Sequence, residues 1–282
     1  MAGNSKKQNN MSKVIYQVDT YEFNTNLQDQ KDRYKSMCDN AIPTVRAYAD
    51  RIGAEYRCIK GDEATARIAK AIPARVAART THGWDYATKM KSKTYVDFAA
   101  TNNMHFLFLD LDIRIKDNSP DIFEMEEYRA LGGLWARQIA VERDGHKNFL
   151  KAASGTIVND FYNGGVTLCD RTTALKISKH IPADEVFFSR KNRWGDWRGW
   201  KEDETFLAYI IEKENIKVRQ LHFNWNRFWR HERKEKKGYF IHHQGPEGKI
   251  ALDEDWSSAA GPPMGPPKPY WKPKPPKNLG TL

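Results

Sequence analysis

The chain has 282 residues, of which 40% are hydrophobic and 29% are charged, which suffices for one large α/β domain. No apolar segment approaches the roughly 20 residues that span a bilayer, and residues 1–13 lack the apolar core of a signal peptide, so we expect a cytoplasmic protein without a membrane span. Lysines in residues 1–13 and 256–282 carry seven of the ten net positive charges, and the +3 that remains for the body of the chain is ordinary.

The composition also divides the chain into three parts. We predict a flexible polar leader at residues 1–12, a single domain at 13–255, and an extended tail at 256–282 that is rich in proline and lysine. The three cysteines are far apart in sequence and form no C-x-x-C pair, which argues against a disulfide framework or a zinc site. We expect them to be buried thiols in a reducing compartment: Cys38, Cys58 and Cys169.

The first predicted strand, Lys13–Val18, is β-branched and aromatic and runs directly into Asp19 and Tyr21. In an α/β sheet these two side chains would lie at the edge where ligands bind.

A helical pattern of apolar residues follows at residues 28–52. Pro43 divides it into two predicted helices, because an interior proline removes a backbone hydrogen bond, and Gly53 is a typical helix end. Residues 55–59 read as a second strand, so the opening order of strand, helix and strand indicates a parallel pair with a right-handed crossover.

Residues 60–84 have no clear periodicity, and they are assigned only as helix or loop. A helix is predicted from Tyr86 to about Ala100, and it leads into a continuous apolar run, Met104–Leu109, that ends in Asp110 and Asp112. A run of this kind is typical of a strand buried on both faces in the middle of a mainly parallel sheet.

The two carboxylates of Asp110 and Asp112 are the first candidate site. The carboxyl ends of strands in open α/β sheets face the ligand crevice, so both side chains would emerge where a substrate binds and could converge on one cation. Such a pair suits Mg²⁺ or Mn²⁺ that holds a diphosphate. The alternative is an aspartate-rich turn that merely ends the strand.

A second candidate segment is Phe161–Cys169, in which Val166–Cys169 is predicted as a strand entered through Gly164 and Gly165. Glycine at such a point permits positive φ or a close approach of the backbone to a ligand, and Asn163 would offer its amide beside the cleft. An Asn-Gly turn with no ligand explains the same residues.

Residues 202–211 are predicted as a helix that packs its apolar residues inward. Asp203 and Glu204 in its first turn complement the helix dipole, which is a sufficient structural reason for them. Asp203 is also placed where a carboxylate could face a sugar ring, and both interpretations stay open.

The last candidate segment is a short predicted strand that ends in His242 and His243, followed by Gly245 and Lys249. An imidazole can join two carboxylates around Mn²⁺, and the lysine can pair with a phosphate.

These segments together resemble nucleotide-sugar-dependent glycosyltransferases of the GT-A fold, nearest to the glycogenin-like and galactosyltransferase-like retaining families. The resemblance runs from about Val14 to Lys249 and rests on four motifs in family order. They are Asp110-Leu111-Asp112 for D-x-D, Tyr162-Asn163-Gly164-Gly165-Val166 for F-N-S/G-G-V, Asp203-Glu204-Thr205-Phe206-Leu207 for D-Q-x-x-L, and His242-His243-Gln244-Gly245 for H-x-x-G-x-x-K.

The resemblance implies an α/β fold of the GT-A (Rossmann-like) type, with a mostly parallel central sheet flanked by helices. It also implies transfer of a sugar from a nucleotide-sugar donor, a UDP-sugar above all, to a hydroxyl acceptor with retention. The acceptor would be a glycan, a protein or a modified nucleic acid.

The residues that match family motifs would take the following roles. Mn²⁺ or Mg²⁺ would be held by Asp110, Asp112 and His242. Donor-binding residues would be Asp19, Tyr21, Lys93, Asp110, Leu111, Gly164, Gly245 and Lys249. Catalytic residues would be Asp203, Glu204 and Asn163, and in an inverting enzyme Asp203 or Glu204 would deprotonate the acceptor.

The sequence departs from the family pattern at two points. Glu204 replaces the usual glutamine, and Lys249 falls one position beyond the expected lysine, where Gly248 stands; His243 could also replace His242 as the ligand. The absence of an anchor or signal favours a bacterial or viral enzyme.

Two rival interpretations remain. A haloacid-dehalogenase-type phosphatase also begins with an apolar strand and D-x-D, but we would then expect Thr or Val where this chain has Arg114. A nucleic-acid-binding module is favoured by the basic tails and the tryptophan-arginine loop at residues 190–200. A glycosyltransferase that acts on modified DNA would combine the latter interpretation with sugar transfer.

Overall fold

The structure is a computed structural model, and it describes residues 12–19, 35–60, 82–139, 151, 155–158, 160–181 and 203–243, with the backbone alone at 82–90, 139, 203 and 235. The strands are β1 (Lys13–Asp19), β2 (Glu55–Lys60), β3 (His105–Leu109), β4 (Ile113–Ile115), β5 (Leu134–Ile139), β6 (Phe161–Asp170), β7 (Val218–Gln220), β8 (Arg227–Phe228) and β9 (Phe240–His242). The helices are α1 (Ile42–Ile52), α2 (His82–Ala99), α3 (Glu126–Leu131), α4 (Arg171–Ser178), α5 (Asp203–Lys213) and α6 (Trp229–Glu235), with 3-10 turns at Ile122–Glu124 and Phe223–Trp225.

The predicted α/β class is confirmed, because the described strands form a six-stranded sheet in the order β2-β1-β3-β6-β5-β7 with helices packed on it. The parallel crossover between β1 and β2 is also confirmed. β3 lies parallel to β1, and β5 parallel to β7, whereas β6 runs antiparallel to both of its neighbours. The end of β3 therefore meets the middle of β6, which places the D-x-D and Asn-Gly-Gly segments side by side.

Strand β3 is buried on both faces, as its apolar sequence predicts. Phe106 and Phe108 pack in one hydrophobic cluster, where Phe106 stacks on Tyr95 of α2 at a centroid distance of 4.6 Å. Leu107 and Leu109 point the other way into a second cluster, together with residues of α1 and β9. Because neither face meets water, β3 is a rigid base for the residues that follow it.

Helix α1 begins and ends where the sequence predicts. Residues 35–40 are helical, a turn follows at Ala41, and Pro43 lies in the first turn of α1, where its missing N–H is not needed. Gly53 ends the helix with φ of 66°, and its N–H donates to the carbonyls of Ala49 and Asp50. Only glycine adopts this left-handed conformation without strain.

The chain leaves the large sheet directly after the end of β3. The chain turns at residues 110–112, and Ile113–Ile115 then leaves the large sheet and becomes β4 of a second sheet with the order β4-β9-β8. β4 pairs antiparallel with β9, and Ile113 lies opposite His242. The second sheet thus brings the end of the described chain back to the D-x-D turn.

A buried carboxylate stabilises this second sheet. The side chain of Glu232 in α6 is fully buried, and it forms ion pairs with Lys116, directly after β4, and with Arg227 of β8 at 3.2 Å. It also accepts a hydrogen bond of 2.7 Å from the N–H of Gly238, just before β9. One carboxylate therefore links all three strands of the small sheet.

The strand that contains Gly164 and Gly165 is longer than predicted. Val166–Cys169 was expected as a strand entered through two glycines, but β6 spans Phe161–Asp170, so that both glycines lie inside it. Opposite them the pairing with β5 shifts register between Ala136 and Arg137. This bulge is how the sheet accommodates the Asn-Gly-Gly sequence.

The remaining predictions concern the cysteines, the terminal segments, two internal stretches and membrane spans. Only Cys169 is a buried thiol, since Cys38 and Cys58 are partly exposed, and none of the three forms a disulfide. The loop at 190–200, most of the stretch at 60–84, the leader and the proline-rich tail lie outside the described residues. Within the residues that are described, no helix has the length and apolar character needed to cross a bilayer.

Candidate functional site

Two carboxylates and one imidazole converge at the carboxyl end of β3. In this cluster the Nε2 atom of His242 lies 3.7 Å from Oδ2 of Asp110 and 3.4 Å from Oδ1 of Asp112. The three ligand atoms all lie within 4.8 Å of one another. Residues more than a hundred positions apart in sequence thus form one small polar site.

Backbone pairing holds the three residues in place. The N–H of Asp110 donates to the carbonyl of Gly165 at 2.9 Å, which attaches the D-x-D turn to β6. The N–H of His243 donates to the carbonyl of Asp112 at 2.9 Å and extends the ladder between β4 and β9. His243 is fully buried, and His242 is the histidine that joins the carboxylate cluster.

A lysine that the sequence analysis missed completes one side of the cluster. The Nζ atom of Lys91 in α2 lies 2.6 Å from Oδ1 of Asp110 and 5.1 Å from the centre of the Phe108 ring. Lys93, the residue predicted to face the donor, is exposed. Two positions along an α-helix correspond to a rotation of about 200°, so the two lysines lie on opposite sides of α2.

A chain of buried side-chain hydrogen bonds leads from β6 to the imidazole. The side-chain oxygen of Asn163 accepts from the N–H of Gly165 at 3.1 Å and from Nδ2 of Asn226 at 2.7 Å. Its Nδ2 atom donates to Glu204 at 3.3 Å. Because the Gly165 N–H can only donate, the orientation of the Asn163 amide is determined.

The same logic determines the tautomer of His242. Since Nδ2 of Asn226 faces Asn163, its oxygen faces Nδ1 of His242, at 3.0 Å. An oxygen at this place requires a proton on Nδ1, which leaves the lone pair of the neutral ring on Nε2, the atom that faces the carboxylates. A histidine whose other nitrogen donates a hydrogen bond is the usual arrangement for a metal ligand.

The absence of a side chain at Gly165 leaves room for the imidazole ring of His242. A Cβ atom at this position would lie 2.4 Å from Cε1 and 2.8 Å from Nδ1 of His242. The two glycines were expected to permit positive φ or a close approach of the backbone to a ligand, and at Gly165 the group that approaches is the His242 ring.

The residues of the cluster fit a small divalent cation. Two carboxylate oxygens and a neutral imidazole suit Mn²⁺, and oxygen ligands suit Mg²⁺. At a metal–ligand distance of about 2.1 Å, adjacent octahedral ligands lie roughly 3 Å apart and opposite ones roughly 4.2 Å apart. The two separations from Nε2, 3.4 and 3.7 Å, fall between the adjacent and the opposite value, so small side-chain movements would bring the three ligands to one cation.

The end of β1 provides the neighbouring edge of the site. Asp19 is buried and forms an ion pair with Lys60 at the end of β2. Gln17, which the sequence analysis did not single out, donates from Nε2 to the carbonyl of Asp110 at 3.0 Å and accepts from the hydroxyl of Tyr56 at 2.9 Å. Gln17 thereby connects β1 and β2 to the D-x-D turn.

The remaining predicted site residues are placed as follows. Leu111 lies in the turn between the two aspartates, and Gly164 lines a small pocket beside Lys91 and Phe108. Asp203 begins α5, but its side chain is outside the described part of the chain. Tyr21, Gly245 and Lys249 also lie outside it.

Comparisons with known proteins show the fold. No protein-family model matches the sequence, and a search of curated proteins finds no significant match. Among solved structures, the chain is similar to a glycosyltransferase involved in the glycosylation of the major capsid of the virus PBCV-1. The TM-score is 0.53 at 12% identity, over 86% of this chain and 98% of that one.

Two further structures are weaker matches. Mouse xyloside xylosyltransferase 1 has a TM-score of 0.42 at 16% identity, over 82% of this chain and 97% of that chain. The galactosyltransferase LgtC has a TM-score of 0.44 at 14% identity, over 83% and 87%. Both of these TM-scores are below 0.5. At 12% identity, the similarity to the PBCV-1 capsid glycosyltransferase shows the fold alone. The chain has the GT-A glycosyltransferase fold, as the four motifs predict.

The first prediction concerns Gly165. In Gly165→Ala the new methyl group displaces the His242 ring, and we expect the affinity for Mn²⁺ to fall at least about tenfold, as for other losses of ligand orientation. Titration calorimetry with Mn²⁺ measures this, and far-UV circular dichroism verifies that the sheet is retained. An unchanged affinity would show that the ring position does not matter.

The second prediction concerns Asn226, which is fully buried. Asn226→Leu removes the acceptor for His242 Nδ1, so we expect the neutral ring to lose its fixed tautomer and Mn²⁺ affinity to fall about 10- to 100-fold. NMR of the ring nitrogens reports the tautomer, and calorimetry reports the affinity.

Asn224 offers the matched control for this experiment. It is buried to a similar extent, and its side-chain oxygen makes no hydrogen bond to any described residue. Asn224→Leu therefore removes an asparagine of the same size outside the chain of hydrogen bonds, and we expect it to leave the His242 tautomer unchanged. Equal effects of both variants on Mn²⁺ binding would contradict the orienting role of Asn226.

Proposed function

We propose that this protein is a metal-dependent glycosyltransferase that moves a sugar from a nucleotide-sugar donor to a hydroxyl group of an acceptor. The observation that carries the proposal is the convergence of Asp110, Asp112 and His242 within 4.8 Å at the end of β3 of a GT-A fold. A carboxylate cluster at this sheet edge is where the fold binds its ligands.

Mn²⁺ or Mg²⁺ is held by Asp110, Asp112 and His242, and when bound it supplies charge neutralisation for the departing nucleoside diphosphate. Lys91 lies beside the same carboxylate pair. Its ammonium group holds Asp110 in position and adds positive charge where the diphosphate leaves.

The sugar of the donor lies next to Asn163 and Glu204, whose side chains are joined by a hydrogen bond of 3.3 Å. Both residues were singled out from the sequence, and their proximity supports a shared site. We assign them, with Asp203 at the start of α5, to the reacting sugar and the acceptor hydroxyl. The resemblance to retaining families favours retention of the anomeric configuration, and we include retention in the proposal.

The nucleoside, for which uridine is the first choice, lies at the end of β1 beside Asp19 and Tyr21. Gly245 and Lys249 complete the phosphate contacts in this proposal, with Leu111 and Gly164 lining the donor site. The acceptor is a glycan, a protein or a modified nucleic acid.

A haloacid-dehalogenase-type phosphatase fits less well. This chain resembles those phosphatases only in an apolar strand followed by D-x-D. The fold of this chain is instead similar to that of a solved glycosyltransferase. The phosphatase interpretation also assigns no role to the imidazole of His242, which lies beside the two carboxylates.

The proposal is tested with a panel of nucleotide sugars and Mn²⁺. We expect one donor to be hydrolysed slowly without an acceptor, and UDP with Mn²⁺ to stabilise the protein by about 2.7 kcal/mol at a hundredfold excess over its dissociation constant. Thermal shift measures the stabilisation, and it should disappear in Asp112→Asn because a metal ligand is lost.

The control for that variant is Asp117→Asn, which changes an exposed aspartate five residues later in the chain. We expect it to leave the thermal shift intact. Phosphatase turnover without a response to any nucleotide would contradict the proposed function.

A further prediction compares Lys91 and Lys93 of α2. Lys91→Met should reduce the rate of donor hydrolysis about 100-fold, as for the loss of one preorganised group at a developing negative charge. Lys93→Met changes an exposed lysine of the same helix and should leave the rate unchanged. The reverse order of effects would show that Lys93 is the donor-facing lysine.

A further inference from the structure

Arg137 of β5 lies directly beside the chain of hydrogen bonds that orients His242. It is the residue that follows the register shift, and it pairs with Asn163 across the two strands. Its Nη1 atom donates to the backbone carbonyl of Asn226 at 2.8 Å. Paired residues of adjacent strands place their side chains on the same face of a sheet, so Arg137 faces the candidate site together with Asn163.

An aromatic ring holds the guanidinium in one plane. Its carbon lies 4.1 Å from the centre of the Phe228 ring, which in turn packs edge-on against His242 at a centroid distance of 5.6 Å. Stacking of this kind leaves the edge of the guanidinium fork available. The group is therefore preorganised and loses little conformational freedom when a ligand binds.

The charge of Arg137 is not neutralised by any carboxylate that the structure describes. Within the part of the chain that the structure describes, no carboxylate forms an ion pair with Arg137. Burial and the nearby charge of Arg227 lower the pKa of Arg137. By contrast, Arg227 is buried and has a carboxylate partner, since its Nε atom lies 3.2 Å from Glu232.

Most N–H groups of the Arg137 guanidinium form no hydrogen bond to a described residue. A guanidinium has five N–H groups, and the only hydrogen bond that Arg137 makes to any described residue is the one to the Asn226 carbonyl. The residue is half-buried, and none of its nitrogen atoms is among the fully buried polar atoms that lack a partner in the described part of the chain. A half-buried cation with free donors suits a planar, bidentate anion, such as a carboxylate or a phosphate.

The position of Arg137 separates it from the predicted diphosphate site. β5 lies two strands from β3, with β6 between them. At a strand spacing of about 4.8 Å, Arg137 is offset by roughly 10 Å from Asp110 across the sheet. In the order of the strands, Arg137 therefore lies on the far side of Asn163 from Asp110, beyond the place proposed for the reacting sugar.

We propose that Arg137 binds a carboxylate or phosphate group on the acceptor, and that the acceptor is therefore an acidic sugar. The inference rests on the proposed function and narrows its substrate class. Arg137 is assigned to selection of the acceptor and not to the chemical step.

The test measures binding of acidic and neutral sugars with the same ring. Methyl glucuronide, glucose 6-phosphate and methyl glucoside are titrated into protein that holds UDP and Mg²⁺, and ligand-observed NMR gives the affinities. We expect at least one acidic probe to bind about tenfold more tightly than the glucoside, as one charge-assisted pair allows. Arg137→Met should abolish this difference, and Arg137→Lys should retain part of it.

Two controls separate selection of the acceptor from a structural role. Arg129→Met removes an exposed arginine that pairs with Glu124 away from the site, and it should leave the preference intact. Arg137→Met should bind Mn²⁺ with unchanged affinity and hydrolyse donor at the wild-type rate. A loss of Mn²⁺ affinity in Arg137→Met would show that the residue only supports Asn226, and would overturn the inference.

Further outcomes would also overturn it. One is wild-type protein that binds all three probes equally. Another is a preference that appears between UDP-glucuronate and UDP-glucose, because Arg137 would then contact the donor. Failure of the proposed function itself is distinguishable, since it would show as absent UDP binding and absent donor hydrolysis in wild-type protein.

Discussion

The candidate site depends on the pairing of β4 with β9. β4 begins directly after the D-x-D turn, and β9 ends in His242, so the ladder between them brings a histidine to a carboxylate pair about 130 residues earlier in the chain. Glu232 holds this ladder together through Lys116, Arg227 and the N–H of Gly238. Removal of its carboxylate would break the ion pairs with Lys116 and with the buried Arg227, and the loss of one partner of a buried ion pair is strongly destabilising.

A second constraint is the direction of the buried hydrogen bonds. A backbone N–H can only donate, so Gly165 sets the Asn163 amide, Asn163 sets Asn226, and Asn226 sets the imidazole of His242. Each amide has one donor side and one acceptor side, and a flip at any position would oppose two groups of the same kind. The lone pair of His242 that faces the carboxylates is thus determined by a glycine of β6, within the same sheet that carries the carboxylates.

Sequence reasoning succeeded where a local pattern has a local cause. The apolar run before Asp110 reports burial on both faces of β3, and Pro43 and Gly53 mark helix boundaries through backbone chemistry alone. The assignment of Lys93 to the donor site stays a prediction. Of Lys91 and Lys93, it is Lys91 that lies beside Asp110, and the helical phase that distinguishes the two depends on how α2 packs on the sheet. The register shift next to Arg137 depends on the pairing of β5 with β6, so the sequence of either strand alone does not reveal it.

By itself the sequence determined the α/β class, the order of the motifs and the pair of carboxylates, because hydrophobic periodicity and residue type act over a few positions. Only the tertiary structure decided which lysine faces Asp110, that Gln17 and Asn226 support the site, and that Arg137 stands beside it. These contacts join strands and helices that are distant in the chain. Their geometry is set by strand register and by buried hydrogen bonds, which no local pattern encodes.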